Sequence, residues 1–160
     1  LRQEGSQLNT AFIRRLGEGE SRDMQRVNGL FGKAFDDSAY WIDPPGNNYL
    51  DRLLANDSFI ALVAEVEGEL VGALAAYELV KFERERSEIY IYDLAVDESS
   101  RRLGVATALI EWLRGYAASI GAWVIFVQAD PPDIPAVALY EKLGTPEEVL
   151  HFDISVSGGQ

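Results

Sequence analysis

The chain has no cysteine and a single histidine among its 160 residues. Without thiols there is no disulfide framework, no cysteine nucleophile and no zinc-finger pattern. No apolar run approaches the length of a membrane span, and no charged-then-apolar signal peptide opens the chain. A cytoplasmic location is therefore the expectation, although Leu1 in place of methionine suggests that further residues precede it. Positive charge is scarce: 14 Lys and Arg stand against 26 Asp and Glu, a net charge of −12. That balance disfavours a nucleic-acid partner, because neutralising phosphates needs a basic face. Acidity of this size keeps many proteins in solution for unspecific reasons. It also suits a cationic ligand steered into an acidic cleft. No metal cluster can be assembled from the residues, there is no internal repeat and there is no low-complexity stretch.

What is present is enough for a core. Apolar residues make up 48% and charged residues 25%, the proportions of an ordinary globular protein, and the length suits one domain over 1–160. Asn9 to Leu16 reads as a first strand through Phe12 and Ile13. A helix capped by Ser21 or Asp23 runs to Phe35, with Val27, Leu30, Phe31, Ala34 and Phe35 at helical spacing. The segment 36–48, DDSAYWIDPPGNN, is long, irregular and rich in turn residues, as functional loops often are. A short helix follows from Tyr49 to Leu54. Ser58 to Val66 and Glu69 to Leu79 are two strands joined by Glu67-Gly68, and the second is apolar on both parities, so both its faces should be covered. Ala122 to Gln128 is an apolar strand, Pro135 to Leu143 a short helix, and the alternating Glu147 to Val156 a last strand. The tail from Ser157 to Gln160 reads as loose. The order β-α-α-β-β-β-α-β-α-β predicts an α/β (α+β) fold, a central mixed sheet flanked by helices.

One stretch organises the rest. Glu88 to Val96 is rich in Ile, Tyr and Val and reads as a strand; a helix begins near Val105 and runs to about Ile120. Between them, two cations are followed by small residues at a helix mouth, Arg101-Arg102-Leu103-Gly104-Val105-Ala106. Backbone N–H groups and the helix dipole can there approach a phosphate, so a pyrophosphate site is expected. On a simple strand Asp93 shares parity with Ile89, Ile91 and Ala95, which would turn a carboxylate toward an apolar layer. An unpaired charge there is costly. Either Asp93 is paired inside, or the strand bulges at this point, as strands do beside active sites.

Arg101 to Ala106 matches the phosphate motif Gln/Arg-x-x-Gly-x-Gly/Ala, preceded by DLAV and followed downstream by AVALYEKLG, Ala136 to Gly144. In these features the chain resembles the Gcn5-related N-acetyltransferase (GNAT) superfamily. Within it, Phe59 to Glu83, Arg86 to Val96, Val127 to Gly144 and Glu147 to Ile154 resemble the aminoglycoside 3-N-acetyltransferases of the gentamicin-resistance type. Before Phe59 the similarity is weaker, above all in Tyr40 to Gly46, a loop expected to line the acceptor cleft, so antibiotic specificity is what that departure puts in doubt.

The resemblance implies a GNAT fold, acetyl-CoA as cofactor and acetyl transfer to an aminoglycoside, with a homodimer as a candidate assembly. It places the pyrophosphate on the amides of Arg102, Leu103, Gly104, Val105, Ala106 and Thr107, with Arg101 and Arg102 nearby. The pantetheine arm would run beside Leu94, Ala95 and Val96, and Asp133, Ala136 and Tyr140 would complete the cofactor contacts. It implies Asp93 as general base, the Leu94 N–H as oxyanion donor and Tyr140 as the acid that protonates the thiolate. For a polycationic sugar the candidate contacts are Glu88, Asp130, Asp153 and Asp43 with Tyr49, Tyr90 and Tyr92; Asp133 and Asp93 add further carboxylates. His151 reads as structural. Two rivals stand beside this reading: a GNAT enzyme acting on a polyamine or a protein lysine, and a non-catalytic acyl-CoA-binding module.

Overall fold

The N-terminal strand is only four residues long, and its last two residues, Arg14 and Arg15, pair with Val63 and Leu62 while their side chains reach polar partners. In a computed structural model, which describes residues 10–158, β1 is Phe12–Arg15 and the proposed start at Asn9 lies outside the described residues. Arg14 donates to Glu20 at 2.7 Å, Asp23 at 3.1 Å and Glu65 at 3.2 Å, tying β1 to the next helix and the next strand. The chain groups into two compact units, one ending at Gln128 and one beginning at Ala129.

In the first unit α1, Ser21–Phe35, buries Met24, Val27 and Phe31 at helical spacing. Neither Ser21 nor Asp23 caps it: Glu20 holds the cap position, and Asp23 lies in the first turn, where its charge meets Arg14 and Arg26. The segment expected to be irregular contains a single helical turn, α2, Ala39–Ile42, before Pro44-Pro45. It gives way to α3, Asn47–Leu54, whose Leu50 and Leu54 face inward. Then come β2, Phe59–Val66, β3, Glu69–Val80, and β4, Ser87–Val96. A short 3-10 turn, Glu98–Ser100, leads to α4, Val105–Ile120; Gly121 ends it in the left-handed region, and β5, Ala122–Val127, follows.

Strand order follows chain order, β1-β2-β3-β4-β5. The first three pairings are antiparallel and β4 pairs with β5 in parallel, because the α4 crossover brings the chain back in the same direction. This is the α/β mixed sheet that the sequence implies. On one face Ala61, Val63, Ala73, Ala75 and Ala95 pack with Val27, Phe31, Leu50 and Leu54 of α1 and α3. The opposite face meets α4: a Cβ on Gly72 would lie 2.8 Å from Val105 Cγ1, so the helix sits close on the strand there. β3 is covered on both faces only through Ala76; Val80 at its end is exposed, which narrows the two-sided burial expected of the whole strand.

The second unit holds one regular element, α5, Ile134–Glu141, with proline in its first turn and the Asp133 carboxylate accepting from the Ala136 N–H at 3.2 Å. The strand expected over Glu147 to Val156 does not form. Its alternation is real, yet Leu150 and Ile154 are more than four-fifths exposed, and among the described residues of this unit there is no second strand to satisfy its N–H and C=O groups. The end of the expected loose tail, 159–160, lies outside the described residues.

Candidate active site

Asp93 owes its position to one extra residue. Across the β3–β4 ladder Ala75 faces Asp93, while the next residue, Ala76, faces Ile91, and Tyr92 is left without a partner. A bulge of this kind reverses the alternation. The parity counted on a simple strand is thereby corrected: Ala95 and Asp93 turn to the α1 and α3 side, and Ile89 and Ile91 turn away from it. Asp93 stands in one row with Ala75 and Ala61, whose small side chains leave space above the sheet.

That space is a cavity of about 190 Å³, lined by Asp93 with Tyr40, Tyr49, Tyr77, Tyr92 and Asn28 among apolar groups; among the described residues no Lys, Arg or His lines it. Burial pushes the half-buried Asp93 carboxyl above the ordinary carboxylate range, and a hydrogen bond donated by Tyr40 Oη to Oδ2, at 3.2 Å, pulls it back. Tyr40 is itself pushed up to about 12, by burial first and then by the charge and hydrogen bond of Asp93. Tyr77 is raised by burial and then by Tyr49, Tyr92 and Asp93. A broader depression, about 710 Å³, lies over the 81–86 turn, but it is lined by charges of both signs and holds none of the candidate catalytic groups.

Aromatic rings continue across the sheet from this cavity. Phe59 lies 5.3 Å from Tyr77, Tyr77 6.1 Å from Tyr92, Tyr92 5.7 Å from Tyr90, and Tyr90 4.8 Å from Phe126. The bulge leaves Tyr92 62% exposed, so this row is open to a ligand at its middle. Ring faces carry partial negative charge and attract ammonium groups.

Of the other acids, Glu88 lies on the same strand but roughly 15 Å from Asp93 by strand rise. It is engaged there with Lys81 at 3.6 Å and the Trp123 indole N–H at 3.2 Å. Asp43 is exposed after α2, and the Tyr90 hydroxyl donates to Gln128 at 3.0 Å. In the second unit Asp133 caps α5, and its own N–H donates to the Asp130 carbonyl at 2.9 Å. His151 and Asp153 are exposed and 3.1 Å apart, and Tyr140 is half-buried on α5. Among the described residues no three acids or histidines gather as metal ligands would, and no helix is long and apolar enough to cross a membrane.

The loop after β4 has the features of an anion site. Asp97 accepts from Ser99, which holds its carboxyl below the ordinary range with help from Lys33, and this fixes the turn. Arg101 Nε donates to the Val96 carbonyl at 3.3 Å. Arg102 and Gly104 both take left-handed φ, +65° and +79°, and α4 starts immediately after Gly104 with no side chain capping it. The first-turn amides are thus left for an external acceptor, with Arg101 and Arg102 exposed beside them. This donor set fits a pyrophosphate.

Tyr77 and Phe126 were not singled out from sequence. Tyr40 entered only as the first residue of the loop expected to line the acceptor cleft, and it does line this cavity.

Comparison with known proteins bears on this geometry. The family model described as the acetyltransferase (GNAT) family matches residues 24–145. An aminoglycoside acetyltransferase, HMB0005, from an uncultured soil metagenomic sample is 56% identical; the match covers 92% of this chain and 99% of that one, with a TM-score of 0.90. A second enzyme from such a sample, meta-AAC0020, has been solved with trehalose and with sisomicin. It is 31% and 30% identical in the two structures, each with a TM-score of 0.87, over 93% of this chain and 98% of that one. None of the curated proteins compared with the chain matches it.

Proposed function

The chain belongs to the GNAT acetyltransferase family, and from that premise we propose that it moves the acetyl group of acetyl-CoA to an amine of an aminoglycoside, the 3-amino group of the deoxystreptamine ring, and so confers resistance. The observation that supports this reading is the cavity at the β4 bulge, with one carboxylate, four tyrosine rings and no cationic side chain. An ammonium group would be drawn there by Asp93 and by ring faces. At about 190 Å³ the cavity is smaller than a whole drug-sized ligand needs. It would take one amine-bearing ring, and the remaining rings would extend over Tyr92 and Tyr90. Related aminoglycoside acetyltransferases of the same fold support the substrate class.

The acetyl-CoA partner supplies a thioester, whose C–S bond breaks as the amine nitrogen bonds to the acetyl carbon. The first-turn amides of α4, with Arg101 and Arg102, would hold its phosphates. Asp93 accepts the proton that the attacking amine must lose, and its half-buried position suits a base that works near neutral pH. The N–H of Leu94 polarises the carbonyl, and Tyr140 returns a proton to sulfur; both roles rest on the family resemblance. Holding amine and thioester together supplies much of the rate.

The test is an acetylation screen of gentamicin, spermidine and lysine peptides with release of free thiol as the readout. Acetylation of gentamicin at the 3-amino group, located by NMR of the product, is the expected result. Thiol release with spermidine or peptide alone would move the chain to another acceptor class, and none with any amine would leave a binding module.

A further inference from the structure

We infer that Tyr40 is the positioning residue for Asp93: its hydroxyl engages one carboxylate oxygen and leaves the other for the acceptor amine. This rests on the acetyltransferase reading above. Tyr40 Oη donates to Oδ2 at 3.2 Å, and Oδ1 takes no hydrogen bond among the described residues. Both side chains line the same cavity. Across the ladder Asp93 faces Ala75, whose side chain offers no donor, so a single directed donor selects its rotamer.

Tyr40 is suited to the task because it is held and because it keeps its proton. Its ring lies edge-on to Phe31 at 6.4 Å and tilted to Phe35 at 6.4 Å, both on α1. The turn that carries it sits close on α1 at Gly32, where a Cβ would lie 2.7 Å from Trp41 Cζ3 and 2.8 Å from Tyr40 Cβ. With its ionisation pushed up to about 12, Tyr40 remains a donor wherever Asp93 is ionised. The pairing also acts on Asp93 in the direction a base requires. Burial raises the Asp93 carboxyl, and the hydrogen bond from Tyr40 favours the charged form. The other ionisable groups facing the pair are Asp37 beside Tyr40, Tyr90 and Tyr92 on β4, Tyr77 on β3 and Tyr49 on α3. None of them is a cation that could take over the role.

The experiment uses the full chain, its Tyr40→Phe variant and its Gly32→Ala variant. The Asp93 carboxyl carbon is titrated by NMR, with Asp93→Asn to assign it, and kcat and KM are followed against pH with an accepted amine. In Tyr40→Phe the Asp93 titration moves to higher pH, and the acidic limb of kcat/KM moves with it. At neutral pH kcat falls about tenfold while the acceptor KM changes less. Gly32→Ala sets a methyl against the Trp41 ring and Tyr40 Cβ; a thermal melt checks that it folds, and in the folded variant the displaced Tyr40 reproduces both shifts. An Asp93 titration that is the same in Tyr40→Phe and parent overturns the assignment, as does a pH–rate limb that stays in place. The titration needs neither acetyl-CoA nor acceptor. A parent that transfers no acetyl group would therefore sink the enzyme reading alone, and the NMR shift would still decide whether Tyr40 sets Asp93.

Discussion

Tyr90 lies flat against Phe126, the ring centroids 4.8 Å apart and the planes within 4°, joining β4 to its parallel neighbour. The stack extends the aromatic row from β2 to β5 and gives Tyr92, which meets Tyr90 edge-on, a firm backing. Replacing Tyr92 by Ala should therefore weaken the hold on a multi-ring cationic acceptor. We expect its KM to rise about fivefold, near the worth of one exposed cation–π contact, with kcat for a small primary amine little changed. Steady-state kinetics with both acceptors checks this; an equal effect on the two would place Tyr92 in the chemistry instead.

Arg101→Ala/Arg102→Ala should raise the dissociation constant of CoA about tenfold at low salt, because two charge partners of the phosphates go. The difference should narrow as salt is added. Calorimetric titration at two ionic strengths measures both. A dissociation constant unmoved at low salt rules out the phosphate assignment. Gly104→Ala should weaken binding too, since α4 starts from a φ of +79° that alanine resists, although a Cβ there meets nothing.

Asp93→Asn should lower kcat by about a hundredfold or more and leave CoA affinity near its parent value. It should also stabilise. Asp93 ionises at higher pH in the folded chain than in the unfolded one, chiefly because it is buried. Above the ordinary carboxylate range the unfolded chain therefore ionises more readily, and the folded state loses ground. The amide carries no such cost. Thermal melts at pH 7.5 should show the variant about 2–4 °C higher, with the gap closing as pH falls below about 4.

Elsewhere in the unit, Arg14 is the one cation among the described residues that meets Glu20 and Glu65, and it shares Asp23 with Arg26. Arg14→Met should cost ~1–3 kcal/mol at pH 7, because three partly buried carboxylates lose a hydrogen-bonding cation. Burial works to raise Asp23, but the hydrogen bonds from Arg14 and Arg26 hold it below the ordinary range. Its contribution is then present at neutral pH and lost as pH drops through that lowered value. Urea unfolding at pH 7 and pH 3 should show the gap between parent and variant shrinking at the lower pH.

Periodicity made the main elements legible. α1 and α4 fall where the sequence puts them, although Phe35, counted in the apolar stripe of α1, is 44% exposed, and β2 to β5 fall within a residue or two of expectation. The turn before α4 was legible because it is local: Gly104 and the helix start that follows it are neighbours in sequence. The bulge was foreseen only as one alternative for Asp93, and that Tyr92 is the extra residue was not legible, since an extra residue shows only against a partner strand. Asp93 could be flagged as anomalous, but its answer lies 53 positions away in Tyr40, on a turn too short for periodicity to reveal. The 147–156 segment failed the other way, because alternation describes a face and a strand also requires a neighbour.

The bulge at Tyr92 can be subtracted without turning the strand over. Ala75 faces Asp93 and Ala76 faces Ile91, so Ile91 and Asp93 already lie on opposite sides, as neighbours in a regular strand do. Deleting Tyr92 would close the ladder with both pairs intact, leave Asp93 on the side of Tyr40, and keep the Arg101–Gly104 loop in register with β3. What the extra residue adds is an outward ring and the kink that carries it. The insertion is an appendage, separable from the placement of Asp93 and of the loop before α4.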